Sequence, residues 1–157
     1  MSMIHNTYMK RALQEAKSAA SRGEVPVGAV IVCGNEILST QSNRVIESKD
    51  PTAHAELLVI REACQKIGNE RLTDCDLYVT LEPCAMCATA ISLARIKTLY
   101  YGALDSKGGG VRQGAKVYTH ATCHHRPEIV AGLLQDESSL VLQSFFQALR
   151  QAKKRGE

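Results

Sequence analysis

No stretch of this chain approaches the roughly 18 consecutive apolar residues of a membrane span, although 45% of its 157 residues are hydrophobic. Nor does the N-terminus carry an apolar signal-peptide core, so no membrane association is expected and a cytoplasmic protein is predicted. Internal repeats are absent, as is any linker long enough to divide the chain. Residues 1–157 are therefore expected to form a single domain whose core can fold without disulfides. Six cysteines in a reducing compartment favour thiols or metal ligands over disulfides. Cys33, Cys64 and Cys75 lie in or beside apolar segments and are expected to pack as small hydrophobes.

Charge excess is also slight, at +3, and says little about partners until its distribution is considered. Residues 47–82 carry four basic and eight acidic side chains, whereas residues 83–126 carry six basic and one acidic. Arg150, Lys153, Lys154 and Arg155 add a basic C-terminal cluster, compatible with a polyanion or with a solvated helix end.

Hydrophobic periodicity divides the chain into alternating helices and strands. Met9, Leu13, Ala16 and Ala20 recur at helical spacing after the cap candidates Asn6 and Thr7. Val25 to Cys33, a turn at Gly34-Asn35 and Glu36 to Gln41 read as a hairpin. Asp50-Pro51-Thr52 announces a helix with Leu57, Ile60, Cys64 and Ile67 as apolar positions, ending at Gly68-Asn69. Asp76 to Glu82 alternates like a strand, and Pro83 ends it and opens a third helix at Cys84. Thr98 to Tyr101 and Glu128 to Ala131 read as strands, Lys107 to Gly110 as a mobile loop, and Asp136 to Lys154 as a terminal helix with Leu140, Val141, Phe145, Ala148 and Leu149 on its apolar face. The alternation predicts an α/β fold with helices on both faces of a sheet that is mainly parallel after the hairpin.

Two motifs carry the chemistry. His54-Ala55-Glu56 and Pro83-Cys84-Ala85-Met86-Cys87 supply three metal ligands, His54, Cys84 and Cys87, and one carboxylate, Glu56, that is not needed as a ligand. A structural zinc closes its shell with four protein ligands, whereas a hydrolytic zinc keeps three and leaves a place for water. Cys84 and Cys87, three apart at a helix start, share a face. His54 and Glu56 would point about 200° apart on a regular helix, so they converge only if the site lies off the helix N-terminus, where backbone N–H groups are unpaired. Taken alone, His54 reads as a satisfied histidine and Glu56 as a first-turn acid that favours the helix dipole. A Cys-x-x-Cys pair also serves thiol redox chemistry, though usually without a distant His-x-Glu. The combined set suits hydrolytic deamination, with Glu56 as the group that takes and returns protons. Cys123, His124 and His125, with His120 nearby, are a second donor group whose spacing allows a closed four-ligand zinc; following a glycine-rich loop and preceding Arg126-Pro127, they read as a surface connection, either lining the substrate groove or merely exposed.

These motifs resemble those of the zinc-dependent cytidine deaminase superfamily. Within it, the runs Gly23 to Val30, Asn43-Arg44, Asp50 to Glu56, Leu77 to Cys87, Gly102-Ala103-x-Asp105-x-Lys107 and His124 to Ile129 resemble the bacterial tRNA-specific adenosine deaminases over almost the whole chain. The resemblance implies a three-layer α/β/α cytidine deaminase-like fold with a five-stranded mixed sheet, one Zn2+ per chain, a homodimer, and conversion of the wobble adenosine of a tRNA anticodon stem-loop to inosine. It further implies that Asn43 hydrogen-bonds the flipped base and that Asp105 approaches its ribose hydroxyl. Lys107, Arg126 and the C-terminal helix with Phe146 would meet phosphates or flanking bases. Read without the resemblance, Asn43 is a turn residue, Asp105 a loop cap and Phe146 a core aromatic. The chain departs from the family's pattern after Phe145-Phe146, where Gln147-Ala148-Leu149 stand in place of consecutive arginines, and in the loop from Gly108 to Cys123. The basic stretch from Arg95 to Arg126 implies RNA binding that weakens as salt rises. Two other readings remain: a guanine- or cytosine-type small-molecule deaminase with the same metal set, and a non-catalytic zinc-stabilised RNA-binding protein, against which the surplus carboxylate Glu56 speaks.

Overall fold

A computed structural model describes residues 2–156. The chain runs through α1 (Met3–Ser21), β1 (Gly28–Cys33), β2 (Glu36–Ser42), α2 (Val45–Ser48), α3 (Ala55–Ile67), β3 (Cys75–Leu81), α4 (Ala85–Leu93), β4 (Thr98–Ala103), a 3-10 turn (Val117–Thr119), β5 (Glu128–Ala131) and α5 (Gln135–Lys154). The five strands form one sheet in the order β2-β1-β3-β4-β5. The β1–β2 hairpin and the β1–β3 pair are antiparallel, while β3, β4 and β5 run parallel. Gly34, with φ of 65°, makes the hairpin turn in the left-handed region where a side chain is disfavoured.

The period of two in the strands sorts side chains to two cores. Ala29, Ile31, Leu77, Val79, Leu99 and Tyr101 face α3 and α4, together with Val59, Ala63, Ala88 and Ile91 from those helices. Val30, Val32, Tyr78 and Tyr100 face the other way, against Tyr8, Met9 and Ala12 of α1. Residues expected to alternate in β3 therefore do so, because both faces of its sheet are covered.

Helix α1 begins at Met3, earlier than the Asn6-Thr7 signal indicates. His5 explains the extra turn: it stacks on Tyr100 at 4.7 Å between ring centres, and its Nδ1 is 2.7 Å from the Tyr78 hydroxyl. Tertiary contacts thus extend the helix past its local cap. In α3 the buried stripe is Ala55, Val59, Ile60 and Ala63, while Ile67 is exposed.

The expectation of free thiols fails for one pair. Antiparallel pairing of β1 with β3 places Cys33 directly opposite Cys75, with Cα atoms 4.3 Å apart, and the two are joined in a disulfide. Strand register imposes this proximity across 42 residues, and neither composition nor compartment displays it. Cys64, Cys84, Cys87 and Cys123 are free.

Close approach of α1 to the sheet depends on Gly28. A Cβ there would overlap the Ala12 carbonyl oxygen and sit 2.6 Å from the Ala16 nitrogen, both backbone atoms. Gly28→Ala is therefore expected to destabilise the fold by about 3 kcal/mol, at the upper end of overpacking penalties. Urea unfolding measures this, and a loss below about 1 kcal/mol would contradict the contact.

Candidate active site

Both motifs sit at helix N-termini that face one another. His54 stands just before α3 in extended backbone (φ −77°, ψ 148°), and Cys84 stands just before α4 (φ −70°, ψ 174°). Pro83, ending β3, prevents the strand from continuing and lets the chain turn into α4. His54 Nδ1 lies 3.7 Å from Cys84 Sγ and 3.5 Å from Cys87 Sγ. All three donor atoms fall within 4.8 Å of one another, and among the described residues no other group of three such donors converges in this way.

The donor set fits a tetrahedral zinc. With Zn–S of about 2.3 Å and Zn–N of about 2.0–2.1 Å, the edges between ligand atoms would be roughly 3.5–3.8 Å, which is the spacing observed from His54 to each sulfur. The electrostatics agree with that assignment. A hydrogen bond from Cys87 and, after it, one from His54 hold the Cys84 thiol down to about 4, in the thiolate form. Cys87 is pushed up, first by its hydrogen bond to Cys84 and then by burial. His54 is raised by its bond to Cys84. Metal binding to such a set requires its thiols to be deprotonated.

Glu56 occupies the first turn of α3, one residue past Ala55, and is 4% exposed. Burial pushes its carboxyl up to about 7, with its own backbone N–H and His54 acting in the opposite direction. A carboxyl balanced near neutrality can both accept and return a proton. His54, Glu56 and Cys84 line the same cavity of about 430 Å³, so the convergence off the helix end that the two-residue spacing required is present.

Asn43 and Asp105 line this cavity as well, with apolar walls from Val25, Val27, Val45, Ile46, Pro51 and Leu81. Asn43 is buried, and its Oδ1 accepts the Ala55 N–H at 2.8 Å. It therefore caps α3 from outside the helix and is more than a turn residue. The Asp105 carboxylate accepts the Lys107 and Gly108 N–H groups through Oδ1, as a loop cap does. Lys107 is exposed beside the cavity-lining Gly108. Arg126 and Phe146 do not line the cavity. The Arg126 guanidinium donates to the Tyr118 and His120 carbonyls at 2.5 and 3.1 Å, and Phe146 is 39% exposed on α5 with its ring edge-on to Phe145.

Two glutamates escaped the sequence reading. Glu24, 2% exposed, accepts the Ile46 and Glu47 N–H groups and so holds the single-turn α2 at the cavity wall. Glu82, also 2% exposed, accepts the N–H groups of Asp105, Val111, Arg112 and Gln113. Their only sequence signal is an acid inside an apolar run, Glu24 before Val25-Pro26-Val27 and Glu82 after Leu81. The Lys107 to Gly110 segment, expected to be mobile, is anchored from both sides: Gly109 N–H donates to the Asp105 carbonyl and Gly110 N–H to that of Pro83.

The Cys123 run does not line this cavity. Cys123, His124 and His120 border a separate cavity of about 320 Å³ with Leu93 and Arg95. His125 Nε2 meets the Ile96 carbonyl at 2.7 Å, and His120 Nε2 meets that of Ala115 at 2.8 Å. These histidines brace the loop.

A family model for MafB19-like deaminases matches residues 3–150. A tRNA-specific adenosine deaminase of Agrobacterium fabrum is 52% identical over 143 residues, covering 91% of this chain and 94% of the relative. A solved chain from a study of A-to-I editing by tRNA:A34 deaminases at the wobble position superposes with a TM-score of 0.85 at 53% identity, covering 87% of this chain and 99% of that one. A guanine deaminase from Bacillus subtilis is further off, with a TM-score of 0.64 and 34% identity over 96% of this chain and 95% of that one. The five-stranded mixed sheet, its covered faces and the facing helix ends are thus those of a deaminase, and the extent of the match places the chain in the tRNA-specific adenosine deaminase family.

Proposed function

We propose that this chain, acting as a single zinc-dependent domain, hydrolyses the wobble adenosine of a tRNA anticodon stem-loop to inosine. The observation that carries the reading is the buried Glu56 beside a three-donor metal set, with His54, Glu56 and Cys84 lining one cavity. A metal that only braced the fold would gain nothing from that carboxyl. Zinc, held by His54, Cys84 and Cys87, supplies Lewis acidity that makes water nucleophilic near neutral pH.

Water adds to the amidine carbon of adenosine and ammonia leaves, so two protons must be moved. Glu56 takes one from the water and delivers it to the ring nitrogen, where it stays, then takes the second from the hydroxyl of the adduct and delivers it to the departing amine. Asn43, with Oδ1 engaged by α3, offers its NH2 to an acceptor on the base. Asp105 offers its remaining carboxylate oxygen to the ribose hydroxyl. Lys107, Arg126 and the Phe146 face of α5 are assigned to phosphates and flanking bases, with Arg126 serving also as a brace of the 118–126 loop. An anticodon loop suits such a pocket because its bases are already unstacked or easily splayed. A cytoplasmic homodimer accompanies this reading; no helix among the described residues is long and apolar enough to cross a membrane.

The guanine deaminase likeness supports a second reading, a small-molecule deaminase built on the same metal set. Purified protein, with its zinc quantified, is assayed on an anticodon stem-loop carrying wobble adenosine and on free adenosine, guanine and cytosine. Inosine in the stem-loop alone is expected. Turnover of free bases with an unmodified stem-loop would favour the second reading, and zinc without any turnover would revive a non-catalytic RNA-binding protein.

A further inference from the structure

The Glu82 carboxylate holds the backbone of the loop that carries Asp105. Its Oε1 accepts the Asp105 N–H at 3.1 Å, while Oε2 accepts three successive N–H groups, from Val111, Arg112 and Gln113, at 3.2, 2.9 and 3.0 Å. Three consecutive amides converging on one oxygen form the concave cradle that protein backbones usually offer to external anions. Here the anion belongs to the chain. The cradle is also tight: a Cβ on Gly109 would come within 2.6 Å of the Asp105 carbonyl oxygen and 2.7 Å of the Glu82 carboxyl carbon. Beyond it, Gly110 packs on the Cys84-Ala85 backbone, so the loop is clamped between the metal-bearing helix end and a buried carboxylate.

From this geometry we infer that Glu82 is a positioning residue for substrate capture: its Oε1 fixes where the Asp105 carboxylate stands in the cavity. The inference rests on the reading of Asp105 as a substrate contact. Glu82 itself needs no contact with RNA, and it acts through one backbone hydrogen bond.

Glu82→Gln separates the two halves of the clamp. Glutamine has a single acceptor oxygen, which the three-donor side claims, and the amide NH2 then faces the Asp105 N–H and repels it. Asp105→Asn is the partner variant, because it keeps Oδ1 for the Lys107 and Gly108 N–H groups and changes the oxygen left for the ligand. On an anticodon stem-loop, each single variant is expected to raise KM about tenfold with kcat nearly unchanged, the scale of one hydrogen bond to a charged group. With zinc content intact, the double variant is expected to stay within about twofold of Asp105→Asn alone, because both act through one carboxylate. Gly109→Ala, which forces the loop and the Glu82 carboxylate apart while leaving both acids chemically intact, should reproduce the KM effect and the same non-additivity, and it serves should Glu82→Gln fail to fold.

Full multiplication of the two single-variant losses, or loss of zinc from Glu82→Gln, would overturn the inference while leaving Asp105 as a contact. A silent Asp105→Asn would overturn both it and the assignment of Asp105.

Discussion

Glu56→Gln retains its zinc and loses about four orders of magnitude in turnover on the anticodon stem-loop, the upper range for removal of a general acid–base group. The amide matches the carboxyl in volume, so the 4%-exposed site remains filled and the fold has no cavity to collapse into. What disappears is proton traffic. Because Glu56 is the one group assigned to both transfers, the loss falls on kcat, and binding of the stem-loop changes little. Glu56→Ala should be equally inactive with zinc still bound. Turnover within tenfold of the parent in either variant would remove the mechanism.

Cys87→Ser empties the metal site and unsettles the protein. Cys87 is buried and contributes a donor from the first turn of α4, while His54 comes from the start of α3. An ion held there would therefore tie together two helix ends whose charged and dipolar groups are crowded without it. Binding to the folded state alone stabilises by about 4 kcal/mol when free metal exceeds Kd a thousandfold, which for a chain of this size corresponds to about 10 °C in Tm. Elemental analysis and calorimetry on Cys87→Ser and on chelator-treated parent protein measure both quantities. The two preparations should melt alike, and a Cys87→Ser protein with full zinc and an unchanged Tm would show that the ion is held elsewhere.

What could be read from sequence was what is local. β3 shows its period of two because Leu77 and Val79 face one core and Tyr78 the other. The start of α3 was legible from Asp50-Pro51-Thr52, although the cap proper comes from Asn43, twelve residues earlier, through a bond that no periodicity displays. The helix α2 was invisible for the same reason: four residues have little helical tendency of their own, and the Glu24 carboxylate holds them in place. Register hid the Cys33–Cys75 bond. α5 follows the sequence pattern almost to the residue, but no periodicity shows that Leu140, Phe146 and Leu149 are exposed while Ser138 is buried beneath Gly102. The metal set was the most legible part, since Cys84 and Cys87 lie within one turn and His54 within one motif. The residues that shape the cavity were the least legible, because Glu24 and Glu82 act on backbone far away in the chain.

The capping bond of Asn43 makes its amide one-way. Were the group to rotate, its NH2 would point at the Ala55 N–H and strand a buried donor at the mouth of α3, so the orientation is locked before any nucleotide arrives. On the proposed reading of Asn43 as a base contact, its NH2 would then accept a ring atom that carries a lone pair and meet a protonated nitrogen head-on. Such a clash would carry a penalty of about 1–3 kcal/mol, and the helix cap would double as a proofreader of the base.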